Sequence, residues 1–102
     1  MLAFSERDIE EIQSVAERNG VDELYLFGSA ARGQIRAGSD LDFLVDFLPN
    51  RPDRLGDFCS LKEELGRITQ KPIDLVIRSA IRNPYFKESV FADAQLVYAS
   101  KV

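Results

Sequence analysis

Apolar residues fall into two rhythms along this chain. Ile9, Ile12, Val15 and Ala16 recur every three or four positions, with Ser5 and Asp8 at the start and Asn19-Gly20 beyond the end. That period marks an amphipathic helix. Ser5 with Asp8 resembles a helix-starting box, the acid lying near the positive end of the helix dipole, and Asn-Gly is a stop signal. The pattern predicts a scaffold helix over about Ser5–Arg18. Glu23–Phe27 is then a compact apolar and aromatic run, which reads as a strand buried on both faces. Gly28-Ser29 breaks it, Ala30-Ala31-Arg32 suits one or two helical turns, and Gly33 and Gly38 bracket a loop back to the sheet. Asp40–Phe47 alternates cleanly: Leu41, Phe43, Val45 and Phe47 share one face, and Asp40, Asp42, Leu44 and Asp46 share the other.

Pro49–Pro52 forms a surface loop, after which Leu55, Phe58, Leu61, Leu65 and Ile68 return to helical spacing over about Asp53–Thr69. Gly66 weakens the last turns of that helix slightly. Pro72 opens a third strand, Ile73–Ile77, Asn83-Pro84 starts a short helix with proline at its first position, and Leu96–Tyr98 adds a short last strand. There are no repeats, low-complexity tracts or interdomain linker. Strands alternating with helices predict an α/β or α+β sandwich, a single domain over residues 1–102.

Composition narrows the chemistry. Hydrophobic residues make up 45% and charged residues 29%, as expected of a soluble globular domain. The net charge of -4 gives no basic field for long nucleic acid, although contact with a short end stays open. No apolar run approaches a membrane span, and Met1–Arg7 lacks the pattern of a signal peptide. A single cysteine, Cys59, forbids an intrachain disulfide and fits a reducing cytoplasm. Histidine is absent, which removes a Ser-His-Asp triad, His-ligated zinc and an imidazole base. Any catalysis must rest on carboxylates, hydroxyls, Lys/Arg and a bound hard cation.

Three aspartates supply the candidates. Asp40 and Asp42 alternate along one strand, so they point the same way with Cα atoms about 6.5–7 Å apart. Asp40 also suits a plain turn residue after Gly38-Ser39. Asp42 is harder to explain so: it lies between Leu41 and Phe43, where aspartate is disfavoured and a charge needs a partner, a cation or water. Asp74 repeats the oddity among Ile73, Leu75, Val76 and Ile77. Three carboxylates on neighbouring strands repel one another in a dry cleft unless a hard cation such as Mg²⁺ lies between them. That is the arrangement expected for metal-assisted nucleotidyl transfer. Asp40 and Asp42 would be the principal ligands. Asp74 would complete the site and accept the proton of the attacking hydroxyl.

Gly28-Ser29 follows a buried strand and precedes a helical stretch, so its amides could face a phosphate. Gly28 lets a phosphate approach the backbone closely, and the Ser29 hydroxyl could bond a phosphate oxygen or simply cap the turn. Arg32 suits either phosphate steering or an ion pair. Arg36 is a weaker candidate for nucleotide contact. Asp46 reads as a solvated strand-end charge, and Lys71, Arg78 and Arg82 as a solvated rim. Tyr85, Phe86 and Phe91 read as core or interface, and Cys59 as a packing residue.

Gly28-Ser29, ten intervening residues, Asp40-x-Asp42 and a later Asp74 inside an apolar strand resemble the DNA polymerase β-type nucleotidyltransferase superfamily. Phe27–Gly33 (FGSAARG) and Gly38–Val45 (GSDLDFLV) are similar to its minimal nucleotidyltransferase branch. The resemblance covers nearly the whole chain. It implies a small mixed β-sheet backed by helices, Mg²⁺ dependence and the use of ATP or another NTP. It implies that Gly28 and Ser29 hold the triphosphate and that Asp40, Asp42 and Asp74 form the carboxylate triad. Larger relatives carry a helical domain for the acceptor, for which this chain has no room. In the minimal branch the usual partner is a helical HEPN-domain ribonuclease toxin, and the nucleotidyltransferase is its antitoxin, in some systems by transferring AMP to a toxin tyrosine. The expected activity is therefore nucleotidyl transfer, of AMP from ATP, to a hydroxyl of a partner protein. Neutralisation of the partner by contact alone, and modification of a small aminoglycoside-like molecule, are the alternatives. Base preference, acceptor and homo- or hetero-oligomeric state are not legible in the sequence.

Overall fold

The computed structural model describes residues 4–31, 33, 40–81 and 94–100, with Ser29 and Ala30 described by their backbone alone. The helix α1 spans Glu6–Arg18, the strand β1 Val21–Phe27, the single turn α2 Gly28–Ala31 and the strand β2 Leu41–Phe47. Then come α3 (Arg54–Thr69), β3 (Ile73–Ile77), a 3-10 turn (Arg78–Ala80) and β4 (Gln95–Ala99). The helix expected from Asn83-Pro84, together with Arg32, Arg36, Arg82, Tyr85, Phe86 and Phe91, lies outside the described residues.

Local chemistry sets the helix ends. The Asp8 amide donates to Ser5 Oγ at 3.2 Å, so Ser5 caps α1 as expected. At the other end the Asn19 side chain donates to the Val15 carbonyl at 2.9 Å, and Gly20 turns the chain with a φ of 69°. Asp53 caps α3 by accepting from the Gly56 amide at 2.9 Å, and Gln70 ends it in the left-handed region, at φ 57°.

The strands form one mixed four-stranded sheet in the order β3-β2-β1-β4. β1 is antiparallel to both β2 and β4, and β2 runs parallel to β3. A parallel pair needs a long crossover, and α3 supplies it. The alternation in the sequence becomes two faces. On one, Leu24, Leu26, Leu41, Phe43, Val45, Ile73, Leu75 and Val97 meet Ile12, Val15 and Ala16 of α1 and Leu61 and Leu65 of α3 in the main core. Phe4 stacks on Phe43, ring centres 6.4 Å apart. On the other face Phe27 and Leu44 are buried beneath Tyr25, Val76, Ile81 and Ala94. β1 is thus covered on both sides, as its composition implies, and among the described residues the second layer is thin. Among the described residues, no helix is long and apolar enough to cross a membrane.

Four expectations at single residues are corrected. Cys59 is exposed, not packed: a helix rotates by about 100° per residue, so the neighbour of an inward-facing Phe58 turns outward. Leu55 belongs to the apolar stripe by spacing yet is 74% exposed. It lies in the first turn of α3, ahead of Leu61 and Leu65, which carry the packing. Asp46 is not a solvated strand end and Arg78 is not a solvated rim. The Arg78 guanidinium donates to Asp46 Oδ2 at 2.9 Å and to Glu23 Oε1 at 3.1 Å.

Candidate active site

The alternation that buries Leu41, Phe43 and Val45 turns Asp42 to the opposite face, and the register of the parallel pair sets Asp42 directly beside Asp74. On its other side Asp42 pairs with Phe27, the last residue of β1. The chain turns immediately afterwards at Gly28, so the turn and the two carboxylates occupy one end of the sheet. Asp40 precedes β2 and is exposed.

The approach of Gly28 is close. Its φ is 73°, and a Cβ built there would stand 2.5 Å from Asp42 Oδ2. The left-handed backbone favours glycine there, and any Cβ would also force the Asp42 carboxylate to turn away. Asp42 is half-buried, and its carboxyl is pushed above the usual carboxylate range. Burial is the main cause, followed by the charge of Asp74, a hydrogen bond with it, and the charge of Asp40. Burial and the neighbouring acids thus disfavour the charged form of Asp42.

The other end of the same sheet face shows the contrast. Glu23 and Asp46 are also cross-strand partners, and Arg78 bridges them from the turn after β3. The chain neutralises that acidic pair with its own guanidinium. No described Lys or Arg forms an ion pair with Asp42 or Asp74.

These observations test whether a hard divalent ion fits. Two carboxylates converge, both are oxygen donors of the type Mg²⁺ takes, and no described cation compensates their mutual charge. Asp40 stands close enough for its charge to act on Asp42. Among the described residues, however, no three acidic, His or Cys side chains already converge as a complete ligand set. The pair fits an ion, with Asp40 at its margin. The backbone of Ser29 lies in α2, next to Gly28, while Arg32 lies outside the described residues. Two surface hollows lie elsewhere, one beside Cys59 and Lys71, the other beside Gln13 and Leu96, and neither is lined by these aspartates.

A residue the sequence did not single out also reaches this region. Gln95, at the start of β4, donates from Nε2 to the carbonyl of Ala31, the last residue of α2. Its polarity inside a short apolar strand was the available signal.

A helix-backed mixed sheet with a Gly-Ser turn after one strand and carboxylates on the next two strands across the sheet defines a polymerase β-type nucleotidyltransferase fold. Residues 9–97 match the nucleotidyltransferase domain model, and the chain belongs to that family, in its minimal nucleotidyltransferase branch. Relatives at 31 to 40% identity include the protein adenylyltransferase MntA of Thermococcus cleftensis, 36% identical over 85 residues that span 74% of this chain and 82% of its own. A solved structure described provisionally as a minimal nucleotidyltransferase superposes with a TM-score of 0.75 at 34% identity, over 87% of this chain and 88% of that one. A chain from a toxin–antitoxin structure with AMP-PNP shares the fold at 21% identity, with a TM-score of 0.68 over 91% of this chain and 74% of that one.

Proposed function

We propose that this protein transfers an adenylyl group from ATP to a hydroxyl of a partner protein, a HEPN-type toxin for which it is the antitoxin. The observation that carries the reading is the carboxylate pair Asp42–Asp74 beside Gly28, an acidic site to which the described chain brings no cation. The name of the Thermococcus cleftensis relative and the toxin–antitoxin setting of the AMP-PNP structure support the choice of adenylyl donor and of a protein acceptor.

In this reading Asp40, Asp42 and Asp74 hold Mg²⁺. When bound, the ion supplies charge stabilisation for the triphosphate and the departing pyrophosphate. The bare Cα of Gly28 lets phosphate oxygens approach the backbone, and Ser29 and Arg32 complete the triphosphate contacts. The acceptor oxygen attacks the α-phosphorus, the bond from that phosphorus to the β-phosphate bridging oxygen breaks, and pyrophosphate leaves. The hydroxyl proton passes to Asp74, the exposed member of the pair.

The test is incubation with α-labelled ATP, Mg²⁺ and the protein encoded beside this one. Label should appear on the partner, and Asp42→Asn should reduce it by about 10²-fold or more. Neutralisation of the partner that persists in the double variant Asp40→Asn, Asp42→Asn, with no label transferred by the wild type, would replace catalysis by contact inhibition.

A further inference from the structure

We infer that Gln95 is a positioning residue for the Gly28-Ser29 turn, a role that rests on the triphosphate-binding reading of that turn. α2 is a single turn of four residues, and so short a helix leaves its carbonyls almost without partners of its own. Its last carbonyl, on Ala31, accepts from Gln95 Nε2, 64 residues away in sequence. Ala31 is itself buried, at 6% exposure, in the main core.

The placement of Gln95 follows from register. Gln95 pairs with Leu26, two residues before Gly28, and paired residues of antiparallel strands project to the same face. Leu26 faces the helices, so Gln95 does too, and its amide reaches past the end of β1 to α2. β4 is held in turn by Gln13 of α1, which donates to the Val97 carbonyl at 3.1 Å. The turn beside the carboxylates is therefore held at its far end, where Ala31 is tied to β4, while at its start Gly28 leaves no room for a Cβ beside Asp42. Removing the amide frees one end and leaves the carboxylates in place. The loss should fall on nucleotide binding and spare the chemical step.

The experiment compares Gln95→Met, which keeps the length and removes the donor, with Gln95→Lys, which restores a donor. The first readout needs no nucleotide. Hydrogen exchange of the segment containing Gly28–Ala31 should quicken about three- to ten-fold in Gln95→Met, the worth of one part-buried hydrogen bond, and return towards wild type in Gln95→Lys. The second is the split between KM for ATP and kcat. KM should rise by a similar factor, about three- to ten-fold, with kcat within about two-fold. Unchanged exchange in Gln95→Met overturns the anchor, whether or not the protein proves to be an adenylyltransferase. Quickened exchange with an unchanged KM overturns its role in binding and leaves the enzymatic reading intact. A wild type that transfers no nucleotide defeats the enzymatic reading, and with it the role in binding, while exchange still decides the anchor. Should Gln95→Met fail to fold, Gln95→Glu, which keeps the length but cannot donate when ionised, takes its place.

Discussion

At the scale of single residues, glycine identity is the most exacting requirement at the site. Gly28 is constrained twice, by a φ of 73° and by the carboxylate of Asp42 where a Cβ would lie. Gly28→Ala adds a left-handed penalty of about 1 kcal/mol or more and forces the Asp42 side chain aside. We expect nucleotidyl transfer to fall at least about 10²-fold, with a melting temperature lowered by about 4–8 °C. Calorimetry and a transfer assay on the same preparation check both numbers. The sequence made Asp42 conspicuous because a charge between Leu41 and Phe43 breaks the rule for a strand. Asp74 was legible as a second anomaly of the same kind, and the expected carboxylate triad on neighbouring strands already joined it to Asp42. That the two meet side by side depends on the parallel register, which lies in no local pattern. Gln95 stayed hidden for the same reason: its acceptor is a backbone carbonyl 64 residues away.

At the scale of elements, periodicity located the helices and strands well, because each buries one continuous stripe or face. It failed where an end residue keeps the spacing but lies ahead of the packing, as Leu55 does. Helix α3 carries a correctable weakness. Gly66 lies in its interior, and a Cβ there would meet the Lys71 carbonyl oxygen at 3.7 Å and Ile73 Cγ1 at 3.8 Å, ordinary contact distances. Gly66→Ala should therefore stabilise the protein by about 0.5–1 kcal/mol, read from the midpoint of a urea titration. The start of α3 depends on charge. Arg51 donates to both oxygens of Asp57 at 2.9 Å, and this pairing holds the Asp57 carboxyl below the usual range. A lowered folded-state value means the stabilisation is complete above the unfolded carboxylate range and is lost as pH falls through the folded one. Asp57→Asn should lower the melting temperature by about 2–5 °C at pH 7, and the gap should close as the solution is taken below about pH 4. A gap that stays constant down to pH 2 would mean that the ion pair contributes nothing.

At the scale of the whole molecule, one face of the sheet supports the fold and the other bears the charge. The helix-backed face holds the main core. The opposite face carries acidic pairs at both ends of a small apolar patch, and among the described residues only the Glu23–Asp46 pair receives a guanidinium, from Arg78. In a chain of net charge -4, an acidic pair with Asp42 half-buried and no ion-pair partner among the described residues is a local expense to folding, and the proposed cation would offset it. Stability and function should then separate at Asp42. In buffer containing a chelator at pH 7, Asp42→Asn removes a charge that is half-buried and repelled by Asp74 and Asp40. Solvent screens part of that repulsion, so the gain in melting temperature should be modest, about 2–4 °C. Saturating Mg²⁺ should raise the melting temperature of the wild type and leave that of the variant nearly unchanged, since a ligand stabilises only the form that binds it. The variant is thus expected to be the more stable protein without the ion and to lose its advantage with it. Equal responses of the two proteins to Mg²⁺ would place the ion elsewhere, and a variant less stable than wild type in chelator would show that Asp42 serves the fold.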